Sequence, residues 1–346
     1  MNRFKFLDYA RAMGIIAVVW VHVAVRIGQD MEHFLKPVTT LLMSCTYLPI
    51  LFMISGVLAF KKIRSLLTFK ECILYFINSL LRPFYVLSII FFFVNILASF
   101  YFSDIQTFRE MGIALLTFKI DDSLPSGVLW FLFSLFVICF IVSNFEKLTT
   151  IDFVYVFLAS VLAKITLLPI LSSLTYFSIN GVLSNFCYFA AGYYFSDFIL
   201  SLKNNIKFLL ISLAIFVGTR FFDFPWEIAD RLIMLISSFS GCAFILSFLA
   251  CLESLNLFIL KVLEYIGNNS LSIFVFHMPA FKFIKPIISK FNLLDTAFGF
   301  SLWLTLGIFI PIIIYEAISF FPKIYSYIFS RKPGIRMLAR FKFVGC

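Results

Sequence analysis

The chain has 346 residues, of which 62% are hydrophobic and only 13% are charged, and its mean hydropathy is +1.02. A soluble fold of this length cannot bury so much apolar surface, so the composition excludes a water-soluble protein. Apolar segments such as 83–102 lack the alternation of a barrel strand, which excludes an outer-membrane β-barrel. We therefore expect an all-α integral membrane protein.

Ten apolar stretches, each close to the length of a membrane crossing, follow one another along the chain. They cover residues 7–28, 38–60, 83–102, 126–145, 151–169, 180–199, 207–222, 231–252, 268–288 and 297–320. Arg11 and His22 interrupt the first stretch and no small-residue cleavage site follows, which favours a retained helix over a cleaved signal peptide. The sequence thus predicts a bundle of about ten transmembrane helices in residues 1–322, followed by a basic cytoplasmic tail, 323–346.

The formal net charge of +10 is best explained by membrane topology. An even number of crossings places both termini on one side, and a cytoplasmic N-terminus leaves most of the 28 Lys and Arg residues inside. The outer loops then contain only Lys36, Arg109, Lys119 and Lys290. We expect both termini in the cytoplasm, a multi-pass protein of the bacterial inner membrane, and a basic tail near anionic lipid headgroups. The charge does not indicate nucleic-acid binding.

Three further features limit the possible functions. The longest predicted outer loop, about 103–125, contains an apolar stretch that is too short to span and is expected to lie at or dip into the membrane. The two halves of the chain show no convincing repeat, which argues against an inverted-repeat transporter. The seven cysteines are scattered and lack histidines at metal-ligand spacing, so we expect neither a metal site nor a disulfide framework.

The first predicted helix carries Asp8, Arg11 and His22, and a charge inside a membrane helix costs about 2.5–3.5 kcal/mol. Arg11 and His22 are eleven positions apart, which on an α-helix places them on one stripe about 16 Å apart. Histidine is the usual proton acceptor near neutral pH, so His22 is a candidate general base that would deprotonate a sugar hydroxyl. The alternative is a structural histidine that is hydrogen-bonded within the bundle.

The segment FLDYARAMGIIAVVWVHV resembles the first helix of the membrane acyltransferase-3 family, whose signature is an arginine, ten intervening residues and a histidine. Four further blocks, LFMISGVLAF, LLRPFY, LWFL and IGNNSLSIFVFHMP, resemble later motifs of that family in the same order. Members are ten-helix inner-membrane proteins that move an acyl group, usually acetyl, from cytoplasmic acyl-CoA to a glycan hydroxyl. The resemblance implies that His22 is the catalytic base, Arg11 its essential partner and Arg82 the third-helix arginine. Asn78 departs from the family pattern, which often has a second basic residue there.

Basic residues near the second and third predicted helices are candidates for contacts with the phosphates of acetyl-CoA. They are Lys61, Lys62, Arg64, Lys70 and Arg82. For the first four the alternative is ordinary anchoring at the cytoplasmic surface. Arg82 precedes Pro83 at a predicted helix start, and we expect it to face a ligand or a carboxylate such as Asp8.

Several other polar residues are weaker site candidates. His277 lies two residues before Pro279 in the ninth predicted helix and either orients His22, lines the acceptor path or is structural. Glu316 is expected to be buried in the tenth helix with an unknown partner. Trp130 of the LWFL block is either a sugar platform or a packing residue. Three lysines, Lys282, Lys285 and Lys290, either extend their ammonium groups to the membrane surface or bind the pyrophosphate of a lipid-linked glycan. His33 is expected in a solvated loop.

The favoured hypothesis is an O-acyltransferase that uses acyl-CoA, as acetyl or succinyl donor, and a polysaccharide or lipid-linked glycan acceptor such as an O-antigen or capsule precursor. The alternatives are a polytopic transporter or flippase of a glycan or acyl donor, and a membrane scaffold of a polysaccharide assembly complex. The expected partners are acyl-CoA, the glycan and membrane lipids, with no metal and no nucleic acid.

Overall fold

The computed structural model describes residues 4–102, 127–149, 152–171, 178–203, 205–221, 226–255 and 257–329. The described residues are almost entirely helical and contain no β-strand, which confirms the all-α prediction. The helices are α1 (Lys5–Ala24), α2 (Gln29–Cys45), α3 (Pro49–Ser65), α4 (Phe69–Phe76), α5 (Arg82–Phe102), α6 (Trp130–Leu148), α7 (Phe153–Leu171), α8 (Ile179–Tyr194), α9 (Ser196–Leu200), α10 (Ile206–Gly218), α11 (Glu227–Leu252), α12 (Phe258–Asn268), α13 (Ser270–Lys290), α14 (Ala297–Ser319) and α15 (Pro322–Phe329).

Eight helical stretches of the described chain are long and apolar enough to cross a membrane. The predicted crossings 180–199 and 207–222 instead contain α8 with 16 residues and α10 with 13, which are shorter than the roughly 20 residues that a crossing needs. A polytopic membrane protein is therefore confirmed, while the count of ten crossings and the side of the termini stay predictions. The predicted loop 103–125 lies outside the described residues.

The predicted second crossing, 38–60, is interrupted near its middle. α2 ends at Cys45 and α3 begins at Pro49, a residue that suits a helix start because it has no N–H to donate. α2 also extends back to Gln29, so His33 lies on a helix rather than in the predicted loop, although its side chain is exposed as expected. The start of α3 therefore depends on Pro49, and an average of hydropathy over the segment does not detect the effect of a single proline.

Glycines allow close contacts between helices of the bundle. A Cβ added to Gly56 of α3 would lie 2.1 Å from the backbone oxygen of Phe189, and one added to Gly192 of α8 would lie 1.9 Å from that of Met53. Small residues at such crossings let membrane helices pack backbone against backbone. Gly56 belongs to the LFMISGVLAF block, so this close crossing gives that block a structural explanation.

The last helix packs onto the bundle. Tyr325, Ile328 and Phe329 of α15 are buried, and the Tyr325 hydroxyl is hydrogen-bonded to that of Tyr315 on α14. α15 also contacts α5. The first part of the predicted tail 323–346 is therefore a packed helix, and residues 330–346 lie outside the described part of the chain.

Candidate functional site

α1 is the central helix of the candidate site, because it packs against α2, α3, α11, α12, α13 and α14. Near its start, Nη1 of Arg11 lies 3.1 Å from Oδ1 of Asp8, whose side chain is almost fully buried. Arg11 is half-buried at the same end. Asp8 therefore forms an ion pair with Arg11. Arg82, which was expected to face a ligand or Asp8, contacts the ring of Tyr327.

His22 lies near the opposite end of α1 and is held by Arg26, one turn further along. Nη1 of Arg26 is 3.2 Å from Nδ1 of His22 and 3.1 Å from the backbone oxygen of His22. A guanidinium only donates hydrogen bonds, so Nδ1 of His22 is the acceptor and carries a lone pair. The neutral ring then has its proton on Nε2.

His277 of α13 lies directly beside His22, with 5.3 Å between the ring centroids. Its Nδ1 donates to the backbone oxygens of Ile273 at 3.0 Å and Phe274 at 2.8 Å, because a carbonyl oxygen only accepts. Its Nε2 is therefore the unprotonated nitrogen of the neutral ring, and it is buried without a hydrogen-bond partner among the described residues. Tertiary packing thus joins two histidines that are 255 positions apart.

A cavity of about 1140 Å³ opens beside His22. We call it the His22 cavity; α2, α3, α6, α7, α8 and α11 contribute to its walls, and its polar and aromatic lining includes Ser44, Tyr47, Trp130, Lys164, Asn180, Ser184, Asn185, Tyr188, Arg220, Asp230, Arg231, Ser237 and Ser238. Apolar walls with a few converging polar groups are typical of small-molecule sites. Of the residues proposed from the sequence, His22 and Trp130 line it.

Four cations near this end had no assigned role in the sequence interpretation. Arg26 contacts His22, and Lys164, Arg220 and Arg231 line the His22 cavity. All are ionisable residues within or at the edge of apolar helices. The free-energy cost of placing a charge there was the sequence signal that could have identified them as site candidates. Only the packing shows that the last three face one cavity.

Three of the five basic residues proposed for the donor, Lys61, Lys62 and Arg64, lie along the final turns of α3. Lys61 Nζ is 4.3 Å from the ring of Phe4, Lys62 Nζ is 4.3 Å from the ring of Tyr75, and Arg64 Nε is 3.3 Å from a carboxylate oxygen of Glu146. The contact with Phe4 places Lys61 at the Arg11 end of α1. These cations therefore lie at the end of the bundle opposite to His22.

Arg82 is the first residue of α5, but the chain is already helical before it, because α4 continues into α5 through a π-helix, Ile77–Leu81. Pro83 has no N–H for the ladder, and the N–H of Arg82 instead donates to the backbone oxygen of Ile77, five residues earlier. The guanidinium lies 4.7 Å from the ring of Tyr327 on α15. Asn78, within the π-helix, donates to the backbone oxygen of Leu74.

The remaining candidates lie away from His22. Glu316 is half-buried, one turn before the end of α14, so it lies closer to the surface than expected and forms no ion pair with a described residue. Lys282, Lys285 and Lys290 are exposed on α13, and none of them lines the His22 cavity. Within the described ranges no three His, Cys, Asp or Glu side chains cluster in a way that would hold a metal ion.

Comparison with protein families gives the class of reaction. The family model for the acyltransferase domain, acyltransferase 3, matches residues 4–316. The chain belongs to the acyltransferase 3 family. The match covers nearly the whole chain, including α1 with Arg11 and His22, α13 with His277 and the helices of the His22 cavity, so this protein is a membrane acyltransferase. No curated protein and no solved structure matches it.

Proposed function

We propose that this acyltransferase moves an acetyl group from cytoplasmic acetyl-CoA to a hydroxyl of a cell-surface polysaccharide, or of its lipid-linked precursor, in the bacterial inner membrane. The observation that carries the proposal is the position of His22, an imidazole that lines a large cavity with converging polar groups and contacts a second imidazole. A glycan hydroxyl is a poor nucleophile until a base removes its proton, and histidine is the most common general base.

In the proposed reaction the acceptor hydroxyl enters the His22 cavity and donates to Nδ1 of His22 in place of Arg26. Nδ1 takes the hydroxyl proton as the oxygen attacks the thioester carbonyl carbon. The carbon–sulfur bond breaks, and the leaving thiolate takes up the proton to give free coenzyme A and an O-acetyl ester. Succinyl-CoA would react in the same way, so the histidine chemistry does not select the acyl group.

The donor is proposed to bind through its phosphates at the Arg11 end, where Lys61, Lys62, Arg64 and Arg82 supply positive charge. The eleven residues from Arg11 to His22 span about 16 Å along α1. The thioester would reach His22 on the flexible pantetheine arm of coenzyme A. Arg11, held by the buried Asp8, is then placed between the phosphates and the reacting carbonyl.

The test compares His22→Ala with His33→Ala, a matched control in which an exposed histidine of α2 is removed. Both variants are expressed in cells that lack the wild-type gene, and their abundance in the membrane fraction is measured. The acetyl content of the surface polysaccharide is then measured by mass spectrometry before and after mild alkali. Loss of a general base is expected to slow transfer by roughly 10²–10⁴-fold, so His22→Ala should abolish detectable O-acetylation and His33→Ala should retain it.

Wild-type acetylation in a stably inserted His22→Ala variant would refute the role of His22. A polysaccharide precursor that crosses the membrane only when the wild-type protein is present, without gaining an ester, would instead favour the transporter or flippase alternative.

A further inference from the structure

We propose that the His22 cavity recognises the acceptor through an anionic group, a carboxylate or a phosphate, and that Lys164 and Arg231 bind it. This inference rests on the proposed function, because it names the chemical class of the acceptor. It arises from the charges that line the cavity, which the acyl-transfer chemistry at His22 does not require.

Lys164 lies within α7, an apolar helix, where an ammonium group is costly. Its Nζ donates to the backbone oxygen of Ser184 at 2.6 Å and to the hydroxyl of Tyr188 at 3.1 Å, and it lies 4.2 Å from the ring of Tyr188. It forms no ion pair with any residue that the structure describes. Because an ammonium group has three N–H donors, α8 orients this charge and leaves one donor for a ligand.

Arg231 of α11 reaches the same turn of α7. Its Nη1 donates to the backbone oxygen of Ile165, the residue after Lys164, at 3.0 Å. Its other contact is an ion pair with Glu227, whose side chain is 79% exposed while that of Arg231 is 27% exposed. An exposed carboxylate competes weakly for a guanidinium because water screens it, so an anion inside the cavity can gain a strong contact with Arg231.

The net charge of the described lining is also positive. The described cavity wall contains the cations Lys164, Arg220 and Arg231 and one carboxylate, Asp230. Arg220 is exposed and donates to the hydroxyl of Ser44 at the cavity edge. This excess of positive charge attracts an anionic ligand and repels a cationic one.

The neutral part of the lining suits the remainder of a sugar. Ser237 is 4% exposed, and its hydroxyl oxygen has no hydrogen-bond partner within the described chain. A buried hydroxyl in this state costs free energy unless a ligand completes its bonding. Trp130 and Tyr47 add aromatic surface to the cavity wall for the apolar face of a pyranose ring. The cavity therefore combines an anion contact, an unpaired hydroxyl and an aromatic surface within one volume.

The experiment measures binding by the purified, detergent-solubilised protein, using thermal stability as a function of probe concentration. The probes are glucuronic acid for a sugar carboxylate, glucose 1-phosphate for a sugar phosphate, and neutral glucose as the uncharged match. We expect the two anionic sugars to raise the melting temperature in a saturable way and glucose to have little effect. The anionic probe that saturates at lower concentration identifies the carboxylate or the phosphate as the recognised group.

Four variants locate the effect. Lys164→Gln is expected to weaken binding of the anionic probe by roughly tenfold or more, since a hydrogen bond to a charged group is lost. Lys164→Arg retains the charge and should retain most of the binding. Lys207→Gln, which removes an exposed lysine at the start of α10, is the matched control and should bind as the wild type does. Arg231→Gln should weaken binding without affecting the contacts of Lys164.

Equal binding of glucose and glucuronic acid, or unchanged binding by Lys164→Gln, would overturn the proposal. So would protection by nanodiscs that contain phosphatidylglycerol but by none of the sugars, because the site would then hold a lipid headgroup. The readout does not depend on acyl transfer, so His22→Ala should still bind the anionic sugar. If the wild-type protein binds the anionic sugars but shows no acyl transfer, the result counts against the proposed function. If it transfers acyl groups but binds neither anionic sugar, the result counts against this inference.

Discussion

Replacement of Gly192 by alanine tests the close crossing of α3 and α8. The added Cβ would lie 1.9 Å from the backbone oxygen of Met53, 2.7 Å from its carbonyl carbon and 3.0 Å from its Cα. The shortest favourable carbon–oxygen contacts are about 3.3 Å, so the two helices must separate by about 1.4 Å at this point. The obstacle is the backbone of α3, and a change of rotamer cannot relieve it.

The expected cost combines two terms. Overpacking in a tight core costs about 1–3 kcal/mol, and a rigid obstacle favours the upper end of that range. Alanine in place of glycine inside a helix returns up to about 1 kcal/mol. We therefore expect Gly192→Ala to lower the free energy of unfolding by about 2 kcal/mol and the melting temperature by at least about 2 °C.

The assay follows the reaction of a thiol-specific fluorogenic dye during heating in detergent. Cysteines that are buried in the folded protein become reactive on unfolding; they are Cys45, Cys72, Cys139, Cys187 and Cys242. Gly218→Ala is the matched control, because a Cβ at that position has no neighbour within 4 Å. A Gly192→Ala protein that melts with the wild type and with Gly218→Ala would refute the close crossing.

Two further predictions concern the Arg11 end of the bundle. Arg11→Gln is expected to lower the free energy of unfolding by about 1–3 kcal/mol, because it removes a charged partner from the buried Asp8 carboxylate. The double variant Asp8→Asn/Arg11→Gln should recover part of this loss in the dye assay, and no recovery would contradict the ion pair. For the donor site, Arg82→Gln should raise the KM for acetyl-CoA in a membrane acetylation assay, and Tyr327→Leu should not. Equal increases in the two variants would show that Arg82 acts through packing of α15.

Much of the architecture could be predicted from hydropathy because membrane helices need long apolar segments. The predicted segments 83–102 and 297–320 agree closely with α5 and α14. Prediction failed where single residues control the backbone. Pro49 begins α3 within a predicted crossing, and a π-helix precedes Arg82 and Pro83, where a helix start was predicted. These are local backbone effects that an average over about 20 residues removes.

The candidate site was predictable only in part. The stripe formed by Arg11 and His22 follows from helix geometry, since both residues lie on one unbroken helix, α1. The pairing of Asp8 with Arg11 rather than Arg82 did not follow, because two partners compete for one carboxylate and their distances depend on helix packing. The position of Lys164 in the cavity wall was not predicted either. Its location in an apolar helix indicates a free-energy cost, but it does not indicate which cavity the side chain faces.

The amino-acid sequence by itself determined that this protein is a helical membrane protein and that Arg11 and His22 share a helix face. Both properties depend on interactions within one segment, namely transfer of apolar side chains into lipid and the 100° rotation per residue. Only the tertiary structure decided that His277 lies against His22 and that Lys164 and Arg231 converge beside one cavity. Those relationships depend on how separate helices approach one another, which the pattern within one segment does not specify.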